Sequence, residues 1–188
     1  AKNSILPILA GAVLNNSRQK IILQNTPDLL DVRVMLKILS TLGVTYKWYD
    51  SMLELDTADV CVHSVPDELM REMRSSIFLI GPLLGRLGKV QVTYPGGCAI
   101  GPRPIDLHVK GLKALGACVQ ESFGRVSVQA EQLYGADIHL DFPSVGATEN
   151  IMLAAVTAKG TTIIRNAARE PEIIDLQNYL NKAGGRVR

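Results

Sequence analysis

The chain has 188 residues, 47% hydrophobic and 20% charged, which suits one large domain or two small ones with a buried core. A net charge of +2 and 5% aromatics exclude the basic clusters and stacking platforms that nucleic acids and anionic membranes require. Cys61, Cys98 and Cys118 are far apart and form no C-x-x-C pair, which excludes a disulfide scaffold and a zinc site and points to a reducing compartment.

In chain order, the first feature is an apolar helix predicted over 5–14. It follows Lys2 in the manner of a short signal segment, but is too short to span a bilayer. A strand over 20–24, a helix over 30–42 closed by Gly43, and a strand over 44–48 with a hairpin partner come next. A strand over 58–63 then leads into a second apolar helix over 75–87, a strand over 89–93 and a helix over 105–115 closed by Gly116. The hairpin of 117–120 with 125–129 follows. A strand over 136–141 leads into a third apolar helix over 147–158, a strand over 161–165 and a helix over 173–183 closed by Gly184.

One order of elements is thus written three times, over about 1–56, 57–134 and 135–188. The closing glycines lie 73 and 68 residues apart, each suited to a left-handed helix C-cap. The first helix of each unit is apolar nearly all round and belongs inside the fold; the second carries charge on one side, as at Asp106, Lys110 and Lys113, and belongs outside. The expected fold is α/β, with three buried helices wrapped by mixed sheets and outer helices. Ala1 at the start, and a third unit that stops at Arg188 before its hairpin, suggest a piece of a longer chain.

The copies differ in one loop. Gly43 lies 18 positions after Asn25 and Gly184 18 after Asn166, but Gly116 lies 22 after Tyr94. The extra length falls in the Gly- and Pro-rich stretch 94–104, which carries Cys98 and Arg103. Glycine permits close backbone approach to a ligand, and a cation near a displayed thiol raises its thiolate fraction. The alternative is a plain surface loop with an incidental cysteine.

The inner-helix starts form a second constellation: Lys2-Asn3-Ser4, Arg74-Ser75-Ser76 and Ser144-Val145-Gly146-Ala147-Thr148. Equivalent helices should present these ends on one face, where free N–H groups suit phosphate or carboxylate. Serines at helix starts also serve as simple caps, and that reading stays open for Ser4 and Ser144.

The stretch Pro95-Gly96-Gly97-Cys98-Ala99-Ile100-Gly101-Pro102-Arg103-Pro104-Ile105-Asp106-Leu107-His108 resembles the active-site loop of the enolpyruvyl transferases of the UDP-N-acetylglucosamine 1-carboxyvinyltransferase type. Ala1-Lys2-Asn3, Met73-Arg74-Ser75-Ser76-Ile77, Ser144-Val145-Gly146-Ala147-Thr148 and Asn166-Ala167-Ala168-Arg169-Glu170-Pro171-Glu172-Ile173 match as well. The resemblance runs from end to end. It implies an inside-out α/β barrel of three repeats, one of two domains that face each other across a cleft in a cytoplasmic enzyme of bacterial wall synthesis.

The resemblance also implies the roles. Lys2, Asn3 and Arg103 would hold phosphoenolpyruvate. Arg74, Phe78, Arg103, Pro104, Ile105, Asp106, Leu107, Phe142, Pro143, Ser144, Val145 and Gly146 would hold UDP-N-acetylglucosamine. Cys98 would act as general acid toward the enolpyruvyl methylene, and would be the thiol that fosfomycin alkylates. No metal or organic cofactor is implied. Phe142-Pro143 stands where some members carry a nucleotide-contacting Lys, which leaves that contact unsupported. A base for the sugar hydroxyl, and further arginines, would come from the opposite domain, so this chain alone is expected not to turn over.

Other chemistry-bearing residues read as framework. Cys61 and Cys118 are assigned to apolar strands in the core, and His63 and His139 to strand positions. His108 carries a supporting role toward Asp106 as an alternative. Glu172 and Asp175 open an outer helix, where acids suit the dipole. A stand-alone binding module and a repeat domain without function remain the competing readings, and a displayed Cys98 argues against both.

Overall fold

The structure, a computed structural model, describes residues 2–93 and 105–188. Its elements are α1 (Lys2–Ala12), β1 (Ile21–Leu23), α2 (Leu30–Thr41), β2 (Thr45–Tyr49), β3 (Met52–Asp56), α3 (Asp67–Glu72), a 3-10 helix (Arg74–Leu79), α4 (Ile80–Leu87), β4 (Lys89–Thr93), α5 (Asp106–Ala114), β5 (Cys118–Ser122), β6 (Arg125–Gln129), β7 (Asp137–His139), α6 (Val145–Ala155), β8 (Ile163–Arg165) and α7 (Pro171–Lys182).

The threefold order holds, and one repeated bond shows why. Gly43, Gly116 and Gly184 all adopt positive φ, at 108°, 100° and 101°. Beyond each, the next amide donates back to a leucine carbonyl: Val44 to Leu39, Ala117 to Leu112, and Gly185 to Leu180. This closure satisfies a helix-end carbonyl and turns the chain. Asn25 and Asn166, at equivalent points after β1 and β8, share a φ of 56°.

The first two units each carry a three-stranded antiparallel sheet, ordered β1-β3-β2 and β4-β6-β5. Alternation fixes their inner faces: Leu53 and Leu55 of β3, Val90 and Val92 of β4, and Val126 and Val128 of β6 are buried. The third pair, β7 and β8, is parallel, with Ile138 opposite Ile164. Parallel strands need a crossover between them, and α6 is that crossover. In the second unit the arrangement shrinks to one parallel bridge, Ser64 to Gln91.

The strand expected over 58–63 is therefore absent. There the chain turns back, with Cys61 N–H donating to Leu42 O at 3.3 Å, and Pro66 has no N–H with which to extend a ladder. Helix α3 was not foreseen, although Pro66 followed by Asp67-Glu68 and later Arg71 is a legible helix signature.

The inner helices α1, α4 and α6 pack through glycines. A Cβ on Gly81 would meet Asn150 and Ala154, one on Gly85 would meet Thr157 and Leu14, and one on Gly11 would meet Leu153. Because 81 faces 150 and 85 faces 157, α4 and α6 run the same way. With 11 against 153 and 14 against 85, α1 runs with them. Arg86 closes the far end by donating to Val13 O at 2.9 Å and Asn15 O at 2.6 Å, a cation at a helix C-terminus.

The second inner helix departs from the expected α-helix over 75–87 by starting as 3-10. The side chain of Asn150 enters its ladder: Oδ1 accepts from Gly81 N–H at 2.6 Å and Nδ2 donates to Ile77 O at 3.0 Å. Those two groups would otherwise bond each other in an α-helix. An inserted side chain of this kind is a recognised cause of helix distortion.

Cys61 and Cys118 are exposed, which corrects their assignment to the core. Cys61 follows the turn at Ala58 and Asp59, in the irregular stretch that replaces the expected strand. Cys118 begins β5, whose residues are all exposed or half-buried.

Candidate functional site

Parallel inner helices bring their starts to one end of the molecule. Lys2 and Asn3 open α1, Arg74 opens the 3-10 helix, and Ser144 caps α6. Cys98, Arg103 and Pro104 lie outside the described residues, as do the side chains of Lys2 and Arg74.

The two serines behave differently. Ser144 is a cap: its Oγ accepts from Ala147 N–H at 3.3 Å and its carbonyl from Thr148 N–H at 3.0 Å. Among the described residues the amides of Val145 and Gly146 have no acceptor, since no helical carbonyl lies four residues before them. Ser4 is not a cap. It is buried, and its hydroxyl donates to Asp175 Oδ2 at 2.5 Å, tying α1 to the outer helix α7. Asn3 is exposed, and Pro7 within α1 has no N–H to offer the Asn3 carbonyl.

Ile105, Asp106 and Leu107 form the start of α5. Only Asp106 is exposed; Ile105 at 7% and Leu107 at 4% give their side chains to the core. The alternative role of His108, support of Asp106, is not seen among the described residues. His108 instead meets Asn150 Nδ2 through Nδ1 at 3.0 Å, and burial pushes its pKa down to about 4.

Phe78 and Gly146 come together. A Cβ at Gly146 would lie 3.4 Å from Phe78 Cε1 and 3.5 Å from His108 Cε1. Phe142 and Pro143 are exposed just before the cap. Beside them opens a depression of about 650 Å³ lined by Pro143, Ile164, Asn166, Ala167, Arg169 and Glu170. Between the lining residues Ala167 and Arg169, Ala168 N–H donates to Thr148 Oγ1 at 3.1 Å.

Two polar residues on α6, Glu149 and Asn150, escaped the sequence reading, and Thr148 was read only as part of the helix start. All three are buried in a helix read as apolar nearly all round. The signal was available: three consecutive polar residues in a helix without a polar face must each find a buried partner. Thr148 and Asn150 do. Glu149 Oε1 has none among the described residues. Burial first, then the nearby Glu172 and Glu170, push its pKa up to about 8.

Among the described residues, no group of three His, Cys, Asp or Glu is arranged to hold a metal ion, and no helix is long and apolar enough to cross a membrane.

Comparison with known proteins agrees with this geometry. The UDP-N-acetylglucosamine 1-carboxyvinyltransferase 1 of Symbiobacterium thermophilum is 53% identical over 194 residues, covering 100% of this chain and 44% of the relative. The UDP-N-acetylglucosamine 1-carboxyvinyltransferase 2 of Caldanaerobacter subterraneus subsp. tengcongensis is 53% identical over 187 residues, with the same coverage. The chain thus spans less than half the length of these relatives. Among solved structures, the enolpyruvyl transferase NikO from Streptomyces tendae superposes over 100% of this chain and 44% of its own, with a TM-score of 0.86 at 18% identity. EPSP synthase from Acinetobacter baumannii covers 90% of this chain and 40% of its own, with a TM-score of 0.63 at 16% identity. These two likenesses establish the inside-out α/β fold. The model of the family described as EPSP synthase (3-phosphoshikimate 1-carboxyvinyltransferase) matches residues 1–188, and the chain belongs to that family.

Proposed function

We propose that this chain is the thiol-bearing domain of a UDP-N-acetylglucosamine 1-carboxyvinyltransferase. The whole enzyme transfers the enolpyruvyl group of phosphoenolpyruvate to the sugar 3′-hydroxyl and releases phosphate, committing the nucleotide sugar to peptidoglycan. The observation that carries this reading is 53% identity to relatives of that name over the full chain. The loop motif of residues 95–108 supports it. Residues 1–188 form one domain of three repeats, about 1–56, 57–134 and 135–188, and a second domain completes the cleft.

Lys2, Asn3 and Arg103 hold phosphoenolpyruvate. Its phosphate and carboxylate call for a cation cluster that orients them and stabilises charge as the tetrahedral centre forms. Arg74, Phe78, Arg103, Pro104, Ile105, Asp106, Leu107, Phe142, Pro143, Ser144, Val145 and Gly146 surround the UDP-sugar. Ile105 and Leu107 act through their backbone, since their side chains belong to the core. Cys98 delivers a proton to the methylene carbon as the sugar oxygen attacks C2. The hydroxyl proton leaves to a carboxylate of the second domain. Loss of a proton from the new methyl group then expels phosphate. General acid catalysis of this kind contributes roughly 10²–10⁴-fold. The enzyme works in the cytoplasm, without a metal or organic cofactor, and Cys98 is the thiol that fosfomycin alkylates.

Phosphate release by the full-length protein tests the reading. Phosphoenolpyruvate with UDP-N-acetylglucosamine should give turnover that Cys98→Ala abolishes. Equal or faster release with shikimate 3-phosphate as acceptor would overturn the assignment.

A further inference from the structure

Two of the three units leave their first strand through an asparagine with positive φ, Asn25 and Asn166. Asn166 also donates from Nδ2 to Leu140 O at 2.9 Å, which ties that exit to the end of β7. The second unit has Tyr94 at this point, without asparagine's ease in the left-handed region. There the strand end is held from another element.

The carboxylate of Asp67 reaches from the first turn of α3 to the end of β4. Its Oδ1 accepts from Thr93 Oγ1, and its Oδ2 faces Arg125 Nη2 at 3.8 Å. Thr93 and Arg125 are direct cross-strand partners, so one side chain spans β4 and β6 where they end together. Thr93 is the last residue of β4, and the stretch with Cys98 and Arg103 follows it in sequence.

The segment before α3 is stitched to β4 as well. Gln91 N–H donates to His63 O at 2.8 Å, and Val65 N–H donates to Gln91 O at 3.2 Å. Pro66 then turns the chain into α3, a helix without a counterpart between β7 and α6. Leu69, Met70 and Met73 are buried and anchor it, and the next residue, Arg74, opens the 3-10 helix. Residues 63–74 thus form one frame, fixed to the end of β4 on one side and leading into the Arg74 helix start on the other.

An acid in a first turn also serves the helix dipole, and the exposed Glu68 beside it suits that role. Asp67 is turned to the sheet instead. Its pair with Arg125 is exposed and contributes little. The charge-assisted bond from the half-buried Thr93 hydroxyl is the specific contact.

We propose that Asp67 is a positioning residue for the enolpyruvyl transfer. Through Thr93 it fixes where the chain enters the Cys98 stretch relative to the Arg74 helix start, and so sets the reactivity of Cys98. The inference rests on the reading of Cys98 as the proton donor.

The test uses the full-length protein with Asp67→Ala and with Thr93→Val, which removes the hydroxyl and keeps a side chain that suits a strand. Phosphate release from phosphoenolpyruvate and UDP-N-acetylglucosamine should fall about tenfold in kcat in each variant, with KM for the nucleotide sugar unchanged, as for a slightly misplaced reacting group. The double variant should be no slower than the slower single one. Thr93→Ser should restore the rate, and Glu68→Gln, which removes a first-turn acid without touching Thr93, should leave it unchanged. Iodoacetamide labelling supplies a readout that a purely structural contact does not move. The pH midpoint of Cys98 alkylation should rise in Asp67→Ala and Thr93→Val, while that of Cys118 stays put.

Wild-type rates with an unmoved Cys98 midpoint overturn the role of Asp67 and leave the functional reading standing. Slower turnover without a shift at Cys98, or additive losses from the two single variants, also overturns it. A wild type that releases no phosphate with this acceptor overturns the functional reading, and the Cys98 midpoint then decides the role of Asp67 alone. Should Asp67→Ala not fold, Thr93→Val and Thr93→Ser decide.

Discussion

Gly81 of α4 passes so close to Asn150 of α6 that a Cβ on the glycine would stand 2.3 Å from the asparagine carbonyl oxygen. That oxygen belongs to helix backbone and cannot swing aside. Gly81→Ala should therefore push the two inner helices apart, at a cost of at least about 2 kcal/mol. Gly124 is the control. It has nothing within 4 Å, only a φ of +75°, and Gly124→Ala should cost about 1 kcal/mol. Urea denaturation of both variants checks the order, and equal losses would mean that the close approach is unimportant.

The Asn150 side chain completes that contact by joining three elements. Asn150→Ala leaves Gly81 N–H and His108 Nδ1 without their partner in the core, while Ile77 O keeps the Ile80 N–H. An unsatisfied buried group costs about 1–3 kcal/mol, so the loss should be at least about 2 kcal/mol. Asn150→Asp keeps an acceptor for Gly81 N–H but cannot donate to Ile77 or His108, and should also destabilise. A chemical melt in which Asn150→Ala matches wild type would show that the inserted amide is not holding the 3-10 segment.

The threefold order was legible because two strong signals repeat in register: apolar helices without a polar face, and the closing Gly43, Gly116 and Gly184. Both depend on local rules, helix periodicity and left-handed caps. What stayed hidden depends on partners distant in sequence. Nothing near residue 77 announces that a helix will be opened by an amide 73 positions later. The fate of 58–63 was set by its hydrogen bond to Leu42 O, which β-propensity does not register. Of the candidate site, comparison of the three copies marked the helix starts and the loop and the resemblance assigned their roles, while Glu149, Asn150 and the His108–Asn150 contact needed the packing of α4, α5 and α6.

Stability should depend on pH in a way that isolates Glu149. Its folded pKa of about 8 lies above the ordinary carboxyl value of 4.5, so its neutral form favours the fold, and stability is lost as pH rises from about 4.5 through 8. His108 runs oppositely. Its folded pKa of about 4 lies below 6.5, so stability is gained as pH rises from about 4 to 6.5. The two trends oppose each other up to about pH 6.5, and Glu149 acts alone from there to pH 8. Across that window the wild type should lose about 2 kcal/mol relative to Glu149→Gln. Urea midpoints at pH 6.5 and 8 give the comparison, and parallel changes in the two proteins would rule out a buried carboxyl that titrates late.

Thiol reactivity separates accessibility from activation. Cys61 and Cys118 are exposed, so alkylation of these two says nothing about a site, and their rates should be ordinary and indifferent to ligands. Cys98, with Arg103 five residues away and the inner-helix starts as its proposed surroundings, should hold a larger thiolate fraction at neutral pH. It should react fastest with iodoacetamide, and inorganic phosphate or UDP-N-acetylglucosamine should slow it alone. Peptide mapping after brief labelling reads all three sites in one experiment. The same isolated chain should release phosphate from phosphoenolpyruvate only at background, because the proposed base for the sugar hydroxyl belongs to the second domain. Uniform labelling of the three thiols, unaffected by either anion, would remove Cys98 from the chemistry, and multiple turnover by the isolated chain would remove the need for a second domain.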